Sequence, residues 1–312
     1  MDSLPLISIA LCTYNGEEFI RQQLNSLLNQ TYTNIEIIAV DDFSIDNTVA
    51  ILEEYAASDR RLNIFTNEHN LGYTNNFEKA LNLCNGDLIA ICDQDDIWHP
   101  DKLKIQSEAM SGHELLYHDS EFIDESGKSM NLKISDKFNF YRGNEPAVFL
   151  YLNCVSGHSV LIKKSLLKSA MPFPKLFHYD QWLAYVATCN GSIDYVDQCL
   201  VQYRQHKHNS TDILALKVNK NHIKTDEKIR KLNLESEWLK ICSERFSGQP
   251  QNLVRRLYEL SLRRNSSFFS LSYMMQIWQH RTILLYILKK PQISKFFYSL
   301  RKAWGSSAKL IS

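Results

Sequence analysis

The chain of 312 residues lacks several features that would assign it to familiar classes of protein. Its seven cysteines are odd in number and none forms a CxxC pair, which argues against a disulfide framework and against a cysteine zinc site. The N-terminus has no basic segment followed by an apolar one, and no apolar run is long enough to span a bilayer. We therefore expect a cytoplasmic protein with reduced cysteines and no signal peptide.

Acidic residues are scarce in the last part of the chain. From residue 251 onward Glu259 is the only acidic residue, whereas eleven residues are lysine or arginine. The basic stretches WQHRTILLYILKK and KFFYSLRKAW also carry aromatic and aliphatic residues, and basic amphipathic helices of this kind suit an anionic membrane surface. Residues 213–312 are therefore predicted to be a helical, basic region that contacts the inner membrane peripherally, packs on the preceding domain or forms a homodimer interface.

A glycine-rich nucleotide motif is also missing. The apolar run Leu6–Leu11 is predicted to be a strand, but the sequence that follows it, CTYNGEEF, contains one glycine and no basic residue. A GxGxxG dinucleotide site is therefore unlikely, and the basic glycine-rich loop that would hold a triphosphate in a nucleotidyltransferase is not there.

The first hundred residues do contain a regular alternation of strand and helix patterns. Short apolar runs typical of buried strands are separated by segments with helical spacing, which predicts βαβ units and a parallel sheet. The predicted strands are Leu6–Leu11, Ile35–Val40, Leu62–Thr66 and Leu88–Cys92, and the predicted helices are Glu17–Gln30, Val49–Ala57 and Asn75–Leu83.

The fourth predicted strand ends in a cluster of acidic residues, Asp93-Gln94-Asp95-Asp96. Three carboxylates within four residues repel one another unless a cation lies among them. Oxygen ligands suit Mg²⁺ or Mn²⁺, and the carboxyl ends of strands are where open α/β sheets bind ligands. The cluster is thus interpreted as a divalent metal site that is completed by substrate phosphates; the alternative is a solvated acidic turn.

Several segments in order resemble family 2 glycosyltransferases of the GT-A fold. They are IALCTYNGEEFIRQQLNSLLNQTY, VDDFSIDNT, NLGYTNNF and CDQDDIWHPDKL, and further on VSGHSVLIKKSLL resembles the acceptor-side loop of that family. The segment HYDQWLAYVATCNGSIDYVDQCLVQYRQH is similar to bacterial rhamnosyltransferase-like members. The resemblance implies a GT-A catalytic domain over residues 1–212, with a mostly parallel central sheet flanked by helices, followed by the helical region 213–312.

Roles for individual residues follow from position and from this resemblance. Residues at the end of the first strand should contact the base or ribose, and Asp42 should accept the ring N–H of uracil or thymine. Asp93 should contact the ribose or a metal-bound water, and Asn75 either contacts the nucleotide or caps a helix. The predicted nucleotide-binding residues are Thr13, Tyr14, Asn15, Asp42, Asn75, Asp93, Arg204 and His206.

The resemblance also implies the metal ligands and the base. Asp95, with Asp93, should hold Mg²⁺ or Mn²⁺, and Asp180 should deprotonate the acceptor hydroxyl; its alternative role is a helix N-cap. The sequence departs from the family pattern here, because Tyr179 separates Asp180 from the preceding histidine. Lys102 could neutralise diphosphate or pair with a surface acid.

Together these features predict a metal-dependent inverting glycosyltransferase for bacterial surface polysaccharide. The expected donor is dTDP-L-rhamnose, with a UDP-hexose or UDP-N-acetylhexosamine as the alternative, and the expected acceptor is a lipid-linked saccharide on the cytoplasmic face of the inner membrane. No nucleic-acid partner is expected. A nucleotidyltransferase and a non-catalytic nucleotide-sugar binding module are the alternatives from other classes.

Overall fold

The structure is a computed structural model that describes residues 4–207, 209, 214, 225–245 and 251–309. These residues form two compact units. The first contains the described residues up to Asp136 together with Phe140–Asn144 and Cys154–His206, and the second contains Lys137–Asn139, Glu145–Asn153 and the described residues after His206. The domain boundary predicted between residues 212 and 213 lies outside the described residues.

The first unit contains one large sheet with helices between its strands. Its strands are β1 (Ile7–Thr13), β2 (Ile35–Asp41), β3 (Leu62–Thr66), β4 (Leu88–Cys92), β5 (Ile97–Trp98), β6 (Leu115–Ile123), β7 (Ser129–Lys133), β8 (Leu161–Lys163) and β9 (Ile193–Arg204). The helices are α1 (Ile20–Leu28), α2 (Thr48–Ser58), α3 (Tyr73–Leu83), α4 (Lys102–Ala109), α5 (Ile134–Lys137, whose last residue belongs to the second unit), α6 (Leu167–Ala170) and α7 (Tyr179–Asn190).

The described strands follow the order β3-β2-β1-β4-β8-β6-β9-β5, with β7 paired to β6. The first four are parallel, which confirms the βαβ units predicted for the first hundred residues. Beyond β4 the sheet becomes mixed, because β8 runs antiparallel to both β4 and β6, whereas β6 and β9 are parallel. The central sheet is therefore mixed rather than mostly parallel.

The parallel strands bring three loops to one edge of the sheet. Every residue of β4 is buried, as is every residue of β1 except one, as expected for strands that are covered on both faces. In the register of the sheet Thr13 lies beside Asp41, and Leu11 lies beside Cys92. The segments that follow β1, β2 and β4 consequently begin next to one another, and these are the segments with the predicted site residues.

Helix α1 begins three residues later than predicted. The carbonyl oxygen of Gly16 accepts hydrogen bonds from the backbone N–H groups of Phe19 and Ile20, at 3.1 and 3.0 Å, so the chain makes a turn before the helix starts. Helices α2 and α3 match their predictions to within two residues at each end.

The second unit consists mainly of helices, as predicted for the C-terminal region. They are α8 (Thr225–Arg245), α9 (Gln251–Asn265), α10 (Leu271–Gln279), α11 (Arg281–Leu284), α12 (Gln292–Lys302) and α13 (Ser306–Lys309). Among the residues that the structure describes, no helix is both long and apolar enough to cross a membrane.

A largely buried carboxylate, with 12% of its side chain exposed, connects four of these helices. Glu235 of α8 accepts hydrogen bonds from Arg264 of α9 at 2.9 Å and from Tyr273 of α10 at 2.8 Å, and it pairs with Lys302 of α12. Burial alone would raise the pKa of Glu235, but the charges of Lys302 and Arg264 hold it below its ordinary value. Glu235 therefore remains ionised and fixes how these helices pack.

Candidate active site

The loops after β1 and β2 are joined by hydrogen bonds. Asn15 donates its backbone N–H to the hydroxyl of Ser44 at 2.8 Å and accepts the N–H of Ile45 on its side-chain oxygen at 2.9 Å. The N–H of Gly16 reaches the hydroxyl of Thr48 at 2.8 Å. Asn15 has a φ of +46°, a left-handed conformation that asparagine tolerates better than most residues. Asn15, one of the predicted nucleotide-binding residues, thus holds the two loops together.

The loop after β4 is fixed to the same point by Gln94. Its side-chain oxygen accepts the N–H of Tyr14 at 2.7 Å, and its side-chain nitrogen donates to the carbonyl of Tyr14 at 3.0 Å. A Cβ atom on Gly16 would lie 2.3 Å from the Gln94 oxygen, so glycine is needed for this approach. The sequence analysis did not single out Gln94, because only the acids on either side of it, Asp93 and Asp95, were assigned to the metal site.

Replacing Gln94 by alanine is expected to raise the KM for the donor about tenfold while kcat changes less than about threefold. Two hydrogen bonds of roughly 0.5–1.5 kcal/mol each hold Tyr14 in place, and 1.4 kcal/mol corresponds to a factor of ten. Initial rates over a range of donor concentrations measure this split. Gln198→Ala, an exposed glutamine on β9, is the matched control and should leave both constants unchanged. An unchanged donor KM in Gln94→Ala would show that the contact does not position the loop.

The predicted residues at the end of β1 differ in exposure. The hydroxyl of Thr13 donates to Asp41 at 2.8 Å, and Asp41 also accepts the N–H and hydroxyl of Ser44. Thr13 and Asp41 are both buried, so their side chains hold the loop after β2. Tyr14, in contrast, is 48% exposed and presents its ring to solvent at the edge of the sheet.

Asp42 is buried and its carboxylate is already engaged by the protein. It accepts hydrogen bonds from the side chain of Asn67 at 2.7 Å and from the N–H groups of Leu71 and Gly72 at 2.7 and 2.9 Å. A carboxylate offers about four acceptor positions, so one remains for a base N–H. Asn75 is exposed on the first turn of α3 and donates to the carbonyl of Leu71 at 2.8 Å.

The acidic cluster brings the predicted metal and phosphate residues together. The carboxylate of Asp95 lies 2.8 Å from Nε2 of His206. Burial, together with the charges of Asp95 and Asp180, raises the pKa of Asp93 to about 7. Asp93, Asp95, Asp180 and His206 are therefore neighbours at one edge of the sheet, although they are separated by up to 113 residues of sequence.

Asp96 lies deeper, beneath this cluster. One of its carboxylate oxygens accepts the N–H of Arg204 at 3.0 Å. The other has no hydrogen-bond partner among the residues that the structure describes and lies 3.8 Å from Nδ1 of His158. Ligand atoms of Asp93, Asp96 and His158 all lie within 4.8 Å of one another. Asp95 is not part of this set, because its carboxylate faces His206 instead. The set offers the carboxylates of Asp93 and Asp96 and the imidazole of His158, and its oxygen atoms are of the kind that Mg²⁺ or Mn²⁺ prefers. His158, predicted only as part of the acceptor-side loop, is the member that sequence reasoning missed.

Arg204 supports the acidic loop from below. It is almost fully buried, its Nε donates to the carbonyl of Asp95 at 2.9 Å, and its terminal nitrogens reach the carbonyl of Glu125 at 3.0 Å and the side chain of Gln22 at 2.6 Å. The guanidinium also lies 4.8 Å from the ring centroid of Phe19. These contacts make Arg204 a support for Asp95, and its role in nucleotide binding stays a prediction.

Lys102 is fully buried, so it does not pair with a surface acid, and its other predicted role, neutralising diphosphate, stays a prediction. Its ammonium lies 3.3 Å from the ring centroid of Trp98, and its nitrogen has no hydrogen-bond partner within the described residues. Burial lowers the pKa of Lys102 to about 7, while Cys92 and Asp96 oppose the change. The cation–π contact between Lys102 and Trp98 therefore lies behind the acidic cluster.

Asp180 stands in the first turn of α7, where His178 occupies the N-cap position. Burial raises the pKa of Asp180 to about 6, while the charge of His178 and the backbone N–H groups of Gln181 and Gly157 limit the rise. A Cβ atom on Gly157 would lie 2.1 Å from the hydroxyl oxygen of Tyr179, so glycine is required there. A half-buried carboxylate with a raised pKa next to the acidic cluster is suited to accept a proton near neutral pH.

Comparisons with known proteins show the family to which the chain is similar. A family model described as "Glycosyl transferase family 2" matches residues 8–170. An uncharacterised glycosyltransferase of Methanocaldococcus jannaschii is 31% identical over 64% of this chain and 71% of its own length. The Escherichia coli UDP-Glc:alpha-D-GlcNAc-diphosphoundecaprenol beta-1,3-glucosyltransferase is 31% identical over 60% of this chain and 72% of its own length. An uncharacterised glycosyltransferase of Haemophilus influenzae is 41% identical, but over only 32% of this chain and 31% of its own length.

Solved structures show the same fold at low sequence identity. The S. aureus protein TarS in complex with UDP-GlcNAc is 17% identical, with a TM-score of 0.58 over 95% of this chain and 89% of that one. The mannosyltransferase PcManGT from Pyrobaculum calidifontis, in complex with GDP-Man and Mn²⁺, has a TM-score of 0.53 at 15% identity over 99% of this chain and 87% of that one. These likenesses confirm the GT-A fold predicted from the sequence.

Proposed function

The chain belongs to glycosyl transferase family 2 and is a glycosyltransferase, and from this premise we propose that it transfers a sugar with inversion from a pyrimidine nucleoside diphosphate donor to a saccharide acceptor. The observation that supports the proposal is the position of Asp180 next to Asp93, which in turn lies next to Asp95. Asp180 is suited to accept a proton, and Asp93 and Asp95 are suited to hold a cation that binds phosphate. All three lie near the carboxyl ends of the parallel strands.

In this proposal each part of the site has one task. The exposed ring of Tyr14 and the remaining acceptor position of Asp42 bind the base, and Asn75 lies within the same group of loops. Asp95 and Asp93 would hold a divalent cation, which when bound neutralises charge on the departing diphosphate. His206 and Arg204 orient Asp95, one through its carboxylate and the other through its carbonyl.

Asp180 performs the proton transfer. Its carboxylate takes the proton of the acceptor hydroxyl, and the acceptor oxygen forms a bond to the anomeric carbon of the donor sugar. The bond from that carbon to the diphosphate oxygen breaks, and the nucleoside diphosphate leaves with the electron pair. A single displacement of this kind inverts the anomeric configuration.

Two donors remain in the proposal. The segment HYDQWLA with YRQH supports dTDP-L-rhamnose, because it resembles rhamnosyltransferase-like members. The names of an E. coli relative and of a TarS complex support a UDP-sugar instead. In either case the acceptor is proposed to be a lipid-linked saccharide used for surface polysaccharide, on the cytoplasmic face of the inner membrane. Residues 1–212 are proposed to form the catalytic domain and 213–312 the helical one.

A thermal-shift screen of dTDP-, UDP- and GDP-sugars, with and without Mn²⁺, tests the donor class. We expect stabilisation by a pyrimidine donor that increases with Mn²⁺, followed by release of the nucleoside diphosphate when acceptor is supplied. Stabilisation by GDP-sugars alone would contradict the role of Asp42. Release of pyrophosphate from a nucleoside triphosphate would indicate a nucleotidyltransferase, and binding without turnover would indicate a binding module.

The pH dependence of transfer should report Asp180, because saturating Mn²⁺ would keep its proposed ligand Asp93 ionised. Because burial raises the pKa of Asp180 to about 6 and only the carboxylate form accepts a proton, kcat/KM should fall about tenfold per pH unit below pH 6 and level off above it. Initial rates between pH 4.5 and 8, measured with saturating Mn²⁺ and corrected for enzyme stability, give the profile. A rate that does not change between pH 5 and 7 would exclude Asp180 as the base.

A further inference from the structure

Helices α10 and α12 of the second unit lie side by side and run in opposite directions. The start of α10 meets the end of α12, because Ser270 donates its backbone N–H to the carbonyl of Ala303 at 2.9 Å. At the other end Trp278 and Phe296 are in edge-to-face contact, with ring centroids 5.4 Å apart. These two helices therefore share one long contact.

A second face of each of these helices packs against the core of the second unit. Tyr273 and Ile277 of α10 are buried, and Tyr273 donates to Glu235. Ser299 of α12 is buried, and Lys302 of the same helix pairs with Glu235. Because the helices are antiparallel neighbours and both contact the core through Glu235, the faces left over on the two helices point to the same outer side.

The outer side is apolar on both helices. Leu271 and Met275 of α10 are 59% and 40% exposed, and Ile293 and Phe297 of α12 are 61% and 52% exposed. Each pair is spaced by four residues, so it forms one stripe along its helix. Four large apolar side chains on two adjacent helices exceed the single exposed residues that are normal on a protein surface.

Positive charge borders these stripes. Arg301 continues the stripe of α12 by four further residues and is exposed, and Lys290 is exposed just before that helix begins. The sequence from residue 260 to residue 312 contains no aspartate or glutamate. A partner that binds this outer side of α10 and α12 must therefore cover the apolar side chains and carry negative charge opposite Arg301 and Lys290.

We propose that Leu271, Met275, Ile293 and Phe297 form a docking surface for an anionic lipid bilayer, with Arg301 and Lys290 on the headgroups. Apolar side chains enter the boundary between headgroups and acyl chains, and the basic residues remain at headgroup level. These residues would make the peripheral membrane contact that the sequence predicts for residues 213–312, and the lipid-linked acceptor of the proposed function fits such a contact. The membrane contact is independent of sugar transfer, because vesicle binding is measured without donor or acceptor.

The test is co-sedimentation of the full chain with vesicles. Vesicles of phosphatidylcholine with about 30% phosphatidylglycerol should bind the chain, pure phosphatidylcholine should bind it roughly tenfold less, and binding should weaken from 50 to 500 mM salt. Ile293→Ser/Phe297→Ser should reduce binding to the anionic vesicles about tenfold with an unchanged Tm, since both side chains are exposed. Lys290→Gln/Arg301→Gln should reduce binding and its dependence on salt.

The matched control removes exposed apolar side chains from the first unit. Leu4 and Phe65 are 54% and 36% exposed, and Leu4→Ser/Phe65→Ser should bind vesicles like the parent chain. Equal loss in this control, or undiminished binding by the Ile293/Phe297 variant, would overturn the proposal. The proposal would also be overturned if the parent chain bound neither kind of vesicle and light scattering showed that it is a dimer that the Ile293/Phe297 change makes monomeric. The docking surface would then bind a second copy of the chain.

Discussion

The Asp180→Asn variant is expected to lose about 10²–10⁴-fold in kcat while it binds the donor as the parent does. General-base catalysis contributes rate factors of that size, and asparagine keeps the shape of the side chain but cannot accept the proton. The raised pKa of about 6 is part of this expectation, because a base of that strength is mostly ionised at neutral pH and still accepts a proton from a hydroxyl that is attacking carbon. Single-turnover rates and donor titrations measure the two quantities separately.

The control for this variant is Asp197→Asn, a change of the same chemistry at an exposed position of β9. It should transfer sugar at the parental rate. A parental rate in Asp180→Asn itself would remove the base from the mechanism, and loss of donor binding in that variant would show a role in the donor site. Retained donor affinity with no turnover in the parent chain would instead indicate a binding module.

The Asp95→Asn variant should lose at least about 10²-fold in kcat/KM and most of its Mn²⁺-dependent thermal stabilisation by donor. Neutralising charge on a leaving diphosphate is worth several kcal/mol, and an amide oxygen binds a hard divalent cation more weakly than a carboxylate does. The substitution also removes the carboxylate that faces Nε2 of His206. Transfer rates and donor-induced Tm shifts, each with Mn²⁺ and with a chelator, measure the effect.

Asp87→Asn provides the comparison, since Asp87 is an exposed acid just before the amino end of the same strand, β4. Its rate and its response to Mn²⁺ should equal those of the parent chain. If Asp95→Asn transferred sugar at the parental rate in chelator, the metal interpretation of the acidic cluster would be wrong.

The fold was predictable because its determinants are local and repeated. Four short runs of five or six residues, the first three followed by segments with helical spacing, gave the four parallel strands. These strands place the segments after β1, β2 and β4 together. The second half of the sheet was not predictable in this way. Strands β6, β8 and β9 pair across long sequence separations and in both directions, and nothing in their own residues states the partner.

The candidate site was predictable where residue type decides the chemistry and not where packing decides it. Clustered acids after a strand indicated Asp93 and Asp95, and the resemblance indicated Asp180. Burial of the Lys102 side chain against Trp98 could not be foreseen, because it depends on how α4 packs against the sheet.

The hydrogen bonds of Asp42 and the paired hydrogen bonds between Gln94 and Tyr14 could likewise not be predicted from the sequence. Each depends on backbone groups whose positions only the folded chain defines. Side-chain identity alone therefore shows which atoms are available in a site but not which of them the protein has already used.

The attachment of Tyr14 to Gln94 limits how the specificity of this enzyme could be re-engineered. Suppose that only residues 14–16 were grafted from an enzyme with another nucleotide preference. The grafted residues would depend on the side-chain amide of Gln94 for their orientation, and a side chain at position 16 would collide with that amide. A successful exchange would have to move residues 14–16, 44–48 and 94 as one cassette, even though they come from three distant parts of the gene.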